Sequence, residues 1–300
     1  MMTMKHLLLS AFILLFFDFS AFSQNNHSPL VHAEWLQNNL DRDDLVLFHI
    51  GNKEQYQKEH IPGAVFMDGS EYTITAEDRS YIYDLPSVEE LVELLEKKGL
   101  NDGDTVVLYV GSNWVSPMTR LYFTLDYLGY SNHTFILDGG LPLWKSRGGA
   151  VTDAVPEPGQ GSFTPNINPD IVTDINFVKS KVNTSGYHIA DARSPVYYQG
   201  IEEGMGGKKG HLPSAKTIPY TSMIKEGPHG AYTFLNNSEL QAVFNEQEIN
   251  QDIPLILYCH IGQQATTVYF AAKKLGYNVK VFDGSFHEWA TKDNPVVLEN

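Results

Sequence analysis

The stretch Leu255–Tyr277, LILYCHIGQQATTVYFAAKKLGY, holds the only cysteine of the chain, Cys259. It begins inside PLILYC, a short apolar run of the kind that forms a buried strand. From Ala265 the period changes. Ala265, Val268, Ala272 and Leu275 share one helical face, Lys273 and Lys274 fall in the last turn, and Gly276 follows as a stop. Cys259 therefore sits where a strand gives way to a Gly-containing loop and then a helix.

Working outward, YHIADAR (Tyr187–Arg193) and KVFDG (Lys280–Gly284) read as further buried strands. Buried strands alternating with helices imply parallel pairing and an α/β class. The pattern also occurs twice. EHIPGAVFMD (Glu59–Asp68) parallels GHLPSAKTIP (Gly210–Pro219), and FILDGGLPLW (Phe135–Trp144) parallels KVFDGSFHEW (Lys280–Trp289). Between them, TVVLYVGSNWVSPMTRLYFTLDYLGY parallels the Cys259 stretch. The offsets are 151 from His60 to His211, 149 from Val110 to Cys259 and 145 from Trp144 to Trp289. Three matches in the same order, drifting only as loop insertions would, indicate a duplicated domain.

The 300 residues suffice for two domains with their own cores. An apolar run from Leu7 to Phe17, after Lys5 and before the small residues at Ser23, is too short to span a bilayer and reads as an export signal. The expected organisation is a signal over 1–23, a first domain over 24–151, a Pro- and Gly-rich linker over 152–171 and a second domain over 172–300. The expected protein is exported, periplasmic and monomeric, with no membrane attachment once the signal is removed.

A formal net charge of -15 argues against nucleic acid as a partner, because phosphates reward clustered lysine and arginine. An anionic ligand would need positive potential supplied locally. One cysteine cannot form an internal disulfide, so its thiol is either inert or used. Position favours use, since ligands of open α/β sheets bind beyond the carboxyl ends of the strands. Loop amides and the helix N-terminus should favour an anion at the sulfur, lowering the thiol pKa from about 8.5. Gly262 allows the tight turn.

The strand–Cys loop–helix, the DAR strand, the GHLP turn, the FDGSFHEW segment and the duplication together resemble the rhodanese family. Within it they are similar to the tandem-domain thiosulfate and 3-mercaptopyruvate sulfurtransferases. The resemblance implies two rhodanese-like domains, each a mainly parallel sheet flanked by helices, with catalysis confined to the second. Its six-residue loop would be Cys259, His260, Ile261, Gly262, Gln263 and Gln264, with Cys259 catalytic and the other five binding substrate. In the first half Val110 replaces the cysteine, His49 lies opposite Asp191 and Gly51 opposite Arg193, which fits a scaffold role.

Arg193 either attracts the anionic substrate or pairs with Asp191 to brace the loop. Lys208 and Lys209, on a Gly-rich loop, would bring charge over the cleft. His211, whose twin His60 survives in the first half, would brace its Pro turn. At His260 many family members carry Arg, and the mercaptopyruvate branch a small residue. A histidine there substitutes in part for the cation.

The implied reaction is attack of the Cys259 thiolate on the outer sulfur of thiosulfate, giving a persulfide that passes its sulfur to a thiophilic acceptor such as cyanide. No cofactor or metal is implied, and a lone cysteine beside a histidine lacks the ligand spacing of zinc. The alternatives are 3-mercaptopyruvate as donor, or a non-catalytic carrier or docking protein. A cysteine phosphatase would need an arginine six positions after the cysteine, and Ala265 stands there.

Overall fold

In the computed structural model, residues 28–111 and 114–299 are described. The first half contributes strands β1 (Leu30–Val31), β2 (Leu45–Ile50), β3 (Val65–Met67), β4 (Ile74–Thr75), β5 (Ile82–Asp84), β6 (Thr105–Val110) and β7 (Thr134–Leu137). The second contributes β8 (Val172–Thr173), β9 (His188–Asp191), β10 (Ala215–Thr217), β11 (Ile224–Glu226), β12 (Tyr232–Phe234), β13 (Leu255–Tyr258) and β14 (Val279–Phe282). Two five-stranded parallel sheets result, ordered β1-β7-β6-β2-β3 and β8-β14-β13-β9-β10. The same order in both is the expected duplication seen in space. Register agrees with the residue equivalences too: His49 pairs with Tyr109 in one sheet as Asp191 pairs with Tyr258 in the other.

The central strands β6 and β13 are almost wholly buried, which is why they read as continuous apolar runs rather than alternating ones. The helices Ser116–Tyr127 and Ala265–Lys274 that follow them pack against each other at the boundary between the halves. Thr119 and Thr266 hydroxyls meet there at 2.9 Å, Phe123 packs edge-on to Tyr269, and Tyr122 edge-on to Phe270. This contact explains a departure from the one-faced helix read from sequence. Every residue from Ala265 to Ala272 is buried, because sheet and partner helix cover opposite sides. A single hydrophobic cluster runs through both halves, with one smaller cluster on the outer side of each sheet.

Two antiparallel hairpins, β4–β5 and β11–β12, cross the boundary reciprocally. Leu85 N–H, after β5, donates to Asp283 at 2.9 Å, and Phe234 N–H, in β12, donates to Asp138 at 2.9 Å. Residues 152–171 are fastened across the first half rather than free. Gly161 N–H reaches the Glu96 carbonyl, Asn166 N–H reaches the Leu128 carbonyl, and Phe163 is buried. The expected export signal lies outside the described residues, and no described helix is long and apolar enough to cross a membrane.

A candidate active site around Cys259

Cys259 is the first residue beyond β13 and has no accessible surface. Its N–H donates to Ser285 Oγ at 3.1 Å, its carbonyl accepts Phe286 N–H at 3.0 Å, and the His260 carbonyl accepts His287 N–H at 2.9 Å. The segment after β14 thus straps the base of the loop. Ser285 adopts a left-handed φ of 51° there, an uncommon conformation for a residue with a side chain. Gly262 has a φ of +78°, so the loop turns back at the one position where no Cβ interferes.

The loop amides favour an anion at the sulfur, as expected: the backbone N–H groups of Ala265, Ile261 and Gln264 pull the thiol pKa down. Burial outweighs them, and the pKa lies above the ordinary thiol value rather than below it. The expected lowering is corrected for this resting form. Three amides without water around them do not offset the loss of solvation of a fully enclosed thiolate.

His260 departs from expectation in the same direction. Its ring packs edge-on to Tyr197 at 4.5 Å and its Nδ1 accepts Met205 N–H at 3.4 Å. Burial, with the Arg193 cation adding to it, depresses its pKa to about 4. The imidazole is neutral at neutral pH and supplies no cation to the loop.

Arg193 and Asp191 form a fully buried pair. Arg193 Nη2 meets Asp191 Oδ2 at 2.6 Å and Nε meets both carboxylate oxygens at 3.0 Å, while Nη2 also donates to the Gly210 carbonyl at 2.7 Å. The guanidinium lies 3.8 Å from the centroid of the Phe286 ring. Arg193 Nε and Nη2 are engaged by Asp191 and the Gly210 carbonyl, which makes it the brace of the strand ends, while its Nη1 is buried without a partner.

Lys208 bonds Asp293 and the Asn294 carbonyl, and Lys209 bonds the Ile201 carbonyl. Neither ammonium stands free over the cysteine, because backbone and carboxylate acceptors beside the Gly-rich loop take both. His211 Nδ1 contacts the Tyr198 carbonyl at 2.8 Å and its ring stacks on Tyr198, as His60 does on Tyr56. Gln263 Nε2 donates to Tyr83 Oη at 2.8 Å, whereas Gln264 Oε1 is buried without a partner.

Sequence reasoning missed the contribution of the first half. Arg120, on the Ser116–Tyr127 helix, is fully buried. Its Nη1 meets Asp283 Oδ1 at 2.5 Å and lies 3.4 Å from the Gly262 carbonyl, and its Nη2 donates to the Tyr83 carbonyl at 2.9 Å. Asp283 was legible, since its twin Asp138 survives in the repeat. Arg120 was not, because the equivalent residue in the second half is Tyr269.

Beside this pair, Asp84 is pushed up to about 7 by burial and then by the neighbouring Asp283 and Glu288 carboxylates, against Arg120 and Lys292. Its Oδ1 is buried and unpartnered. A carboxyl raised in the fold contributes stability that is full below its ordinary pKa and lost as pH rises through 7. Asp84→Asn is therefore expected to exceed the parent in melting temperature by a margin that widens from pH 5 to pH 8. Equal melting temperatures at both pH values would remove this account.

Among known families, the rhodanese-like domain matches residues 32–147 and 175–292, one copy per sheet. The chain belongs to the rhodanese family. A thiosulfate/3-mercaptopyruvate sulfurtransferase of Arabidopsis thaliana is 30% identical to it over 91% of this chain and 87% of the relative. The 3-mercaptopyruvate sulfurtransferase of Escherichia coli strain K12 is 27% identical over 89% of this rhodanese and 96% of the relative. In the crystal structure of SseA, an Escherichia coli 3-mercaptopyruvate sulfotransferase, the fold superposes with a TM-score of 0.75 at 26% identity, over 86% of this chain and 99% of that one.

Proposed function

We propose that this rhodanese is a sulfurtransferase that takes a sulfane sulfur from thiosulfate onto Cys259 and passes it to a thiophilic acceptor such as cyanide. Residues 24–151 form the non-catalytic domain, 152–171 the linker and 172–300 the catalytic domain in this reading. The placement of Cys259 at the carboxyl end of β13, opening a loop that turns at Gly262 into the helix Ala265–Lys274, carries it. Cys259 first gives up its proton to solvent; the thiolate then attacks the outer sulfur of thiosulfate, the S–S bond breaks, and sulfite leaves with the bonding pair. The terminal sulfur of the resulting persulfide bears the negative charge, which the Ile261, Gln264 and Ala265 amides are placed to stabilise. Attack by cyanide on that terminal sulfur yields thiocyanate and returns the Cys259 thiolate. The protein acts as an exported, periplasmic monomer with no cofactor.

A second reading takes 3-mercaptopyruvate as the donor. It is favoured by the uncharged loop, since neutral His260 and the committed Arg193, Lys208 and Lys209 suit one carboxylate better than the dianion thiosulfate. Thiocyanate formation from each donor, with Cys259→Ala as control, decides between them. Thiocyanate is expected from the parent and none above background from the variant, and the preferred donor assigns the branch. A folded parent that forms no persulfide with either donor would overturn sulfur transfer.

A further inference from the structure

The geometry points to Tyr83 and Arg120, both from the non-catalytic half, as positioning residues for the reaction, acting through Gln263 and Gly262 of the cysteine loop. The inference rests on Cys259 chemistry as proposed above. The contacts form one continuous chain across the boundary. Arg120 Nη2 holds the Tyr83 carbonyl, its Nη1 faces the Gly262 carbonyl and Asp283, and Tyr83 Oη accepts the Gln263 amide.

Three independent features support the inference. Tyr83 holds a left-handed φ of 67°, which a bulky aromatic residue adopts only where the surroundings enforce it. The pairing of β5 with β4 shifts register at this residue, a bulge that leaves Tyr83 out of the ladder, and its phenol reaches the loop. Arg120 has no accessible surface, and a buried cation persists only where fixed acceptors compensate it. Its acceptors are Asp283 and two carbonyls, one of them within the loop. Finally, the space around Gly262 is closed by the same groups: an added Cβ would lie 3.1 Å from Arg120 Nη1 and 2.9 Å from Asp283 Oδ1.

The consequence concerns the amides. Gly262 and Gln263 lie between Ile261 and Gln264, whose N–H groups favour the anionic form of the sulfur. Holding the Gly262 carbonyl outward and the Gln263 side chain sideways fixes the direction of both amides. Among the described residues, the Gly262 carbonyl and the Gln263 side-chain amide find their hydrogen-bond partners in the first half. This assigns the first half a part in the chemistry beyond that of a wall.

The test is a double-substitution cycle in the full chain, with Tyr83→Phe, Gln263→Met and both together, followed by single-turnover persulfide formation. Each single variant is expected to slow the step by about 3- to 10-fold, the scale of one hydrogen bond. The double variant should slow it no further, with half-saturating donor unchanged, because both changes sever one link. Arg120→Lys, which keeps the charge and loses the fork, should lose about tenfold or more.

The rate of Cys259 alkylation provides a second readout that needs no sulfur donor, and with a single cysteine it reports this site alone. It should change in both single variants and no further in the double. Unchanged rates in Tyr83→Phe, or losses that multiply in the double variant, would overturn the assignment. If the parent forms no persulfide, sulfur transfer fails as a function while the alkylation cycle still decides the positioning role.

Discussion

Arg193→Met is expected to destabilise the protein by about 3–5 kcal/mol, the usual result of removing one partner of a buried ion pair. The size follows from what remains. Asp191 has no accessible surface, and both of its oxygens lose the guanidinium that holds them; the Gly210 carbonyl loses its donor as well. A loss of this size should lower the melting temperature by roughly 10 °C in a chain of this length. Replacing both partners, as Asp191→Leu with Arg193→Met, should recover much of the loss by removing the stranded charge. A single variant that melts with the parent would show that Arg193 is not the brace described here. The substitution also separates bracing from substrate contact. A brace lowers stability together with activity, whereas a residue that only touches substrate raises the donor concentration needed and leaves the melting temperature alone.

Gly262→Ala should reduce sulfur transfer by about a hundredfold or more, on the scale of a misplacement near 1 Å at a reacting centre. Two costs combine at this position. The backbone φ of +78° is strained for any residue with a Cβ, and that Cβ would lie 2.7 Å from the Asp283 carbonyl oxygen, closer than real contacts allow. The loop must shift, and the Ile261 and Gln264 amides on either side of Gly262 lose their aim at the sulfur. The loop lies apart from the strand pairing, so most of the fold should survive. Far-ultraviolet circular dichroism close to the parent, with the single-turnover rate reduced, is the expected pair of observations. Full activity in Gly262→Ala would mean that the loop reacts in a different conformation.

Much of this architecture could be read from residues. The apolar run into Cys259 and the helical period after it place the lone cysteine at the end of a parallel strand, and the repeated HIPGA/HLPSA and LDGG/FDGS segments establish the duplication. These features are local: a strand buried on both faces must be apolar throughout, and a turn needing a left-handed residue selects glycine. Asp191 was likewise legible as a support for its neighbour, since the two residues lie two apart on one strand end.

Charge at the site was not legible in the same way. His260 as a letter suggests a cation, but its protonation depends on solvation and on Arg193, and both are set by packing. Lys208 and Lys209 carry formal charges wherever they lie; only the folded chain shows those charges spent on Asp293, Asn294 and Ile201. The thiol follows the same rule, because amide donation and burial act in opposite directions and their balance is a property of the enclosed site.

The sequence by itself determined the repeat, the α/β class, the position of Cys259 and the valine, Val110, at the matching place in the first half. Those are statements about period, spacing and identity, which survive without coordinates. Only the tertiary structure decided that Arg120 and Tyr83, 139 and 176 positions before Cys259 in the chain, reach its loop. The reason is physical. Contacts across the boundary arise from how two sheets and two helices pack face to face, and no local pattern encodes which side chain on one half meets which carbonyl on the other.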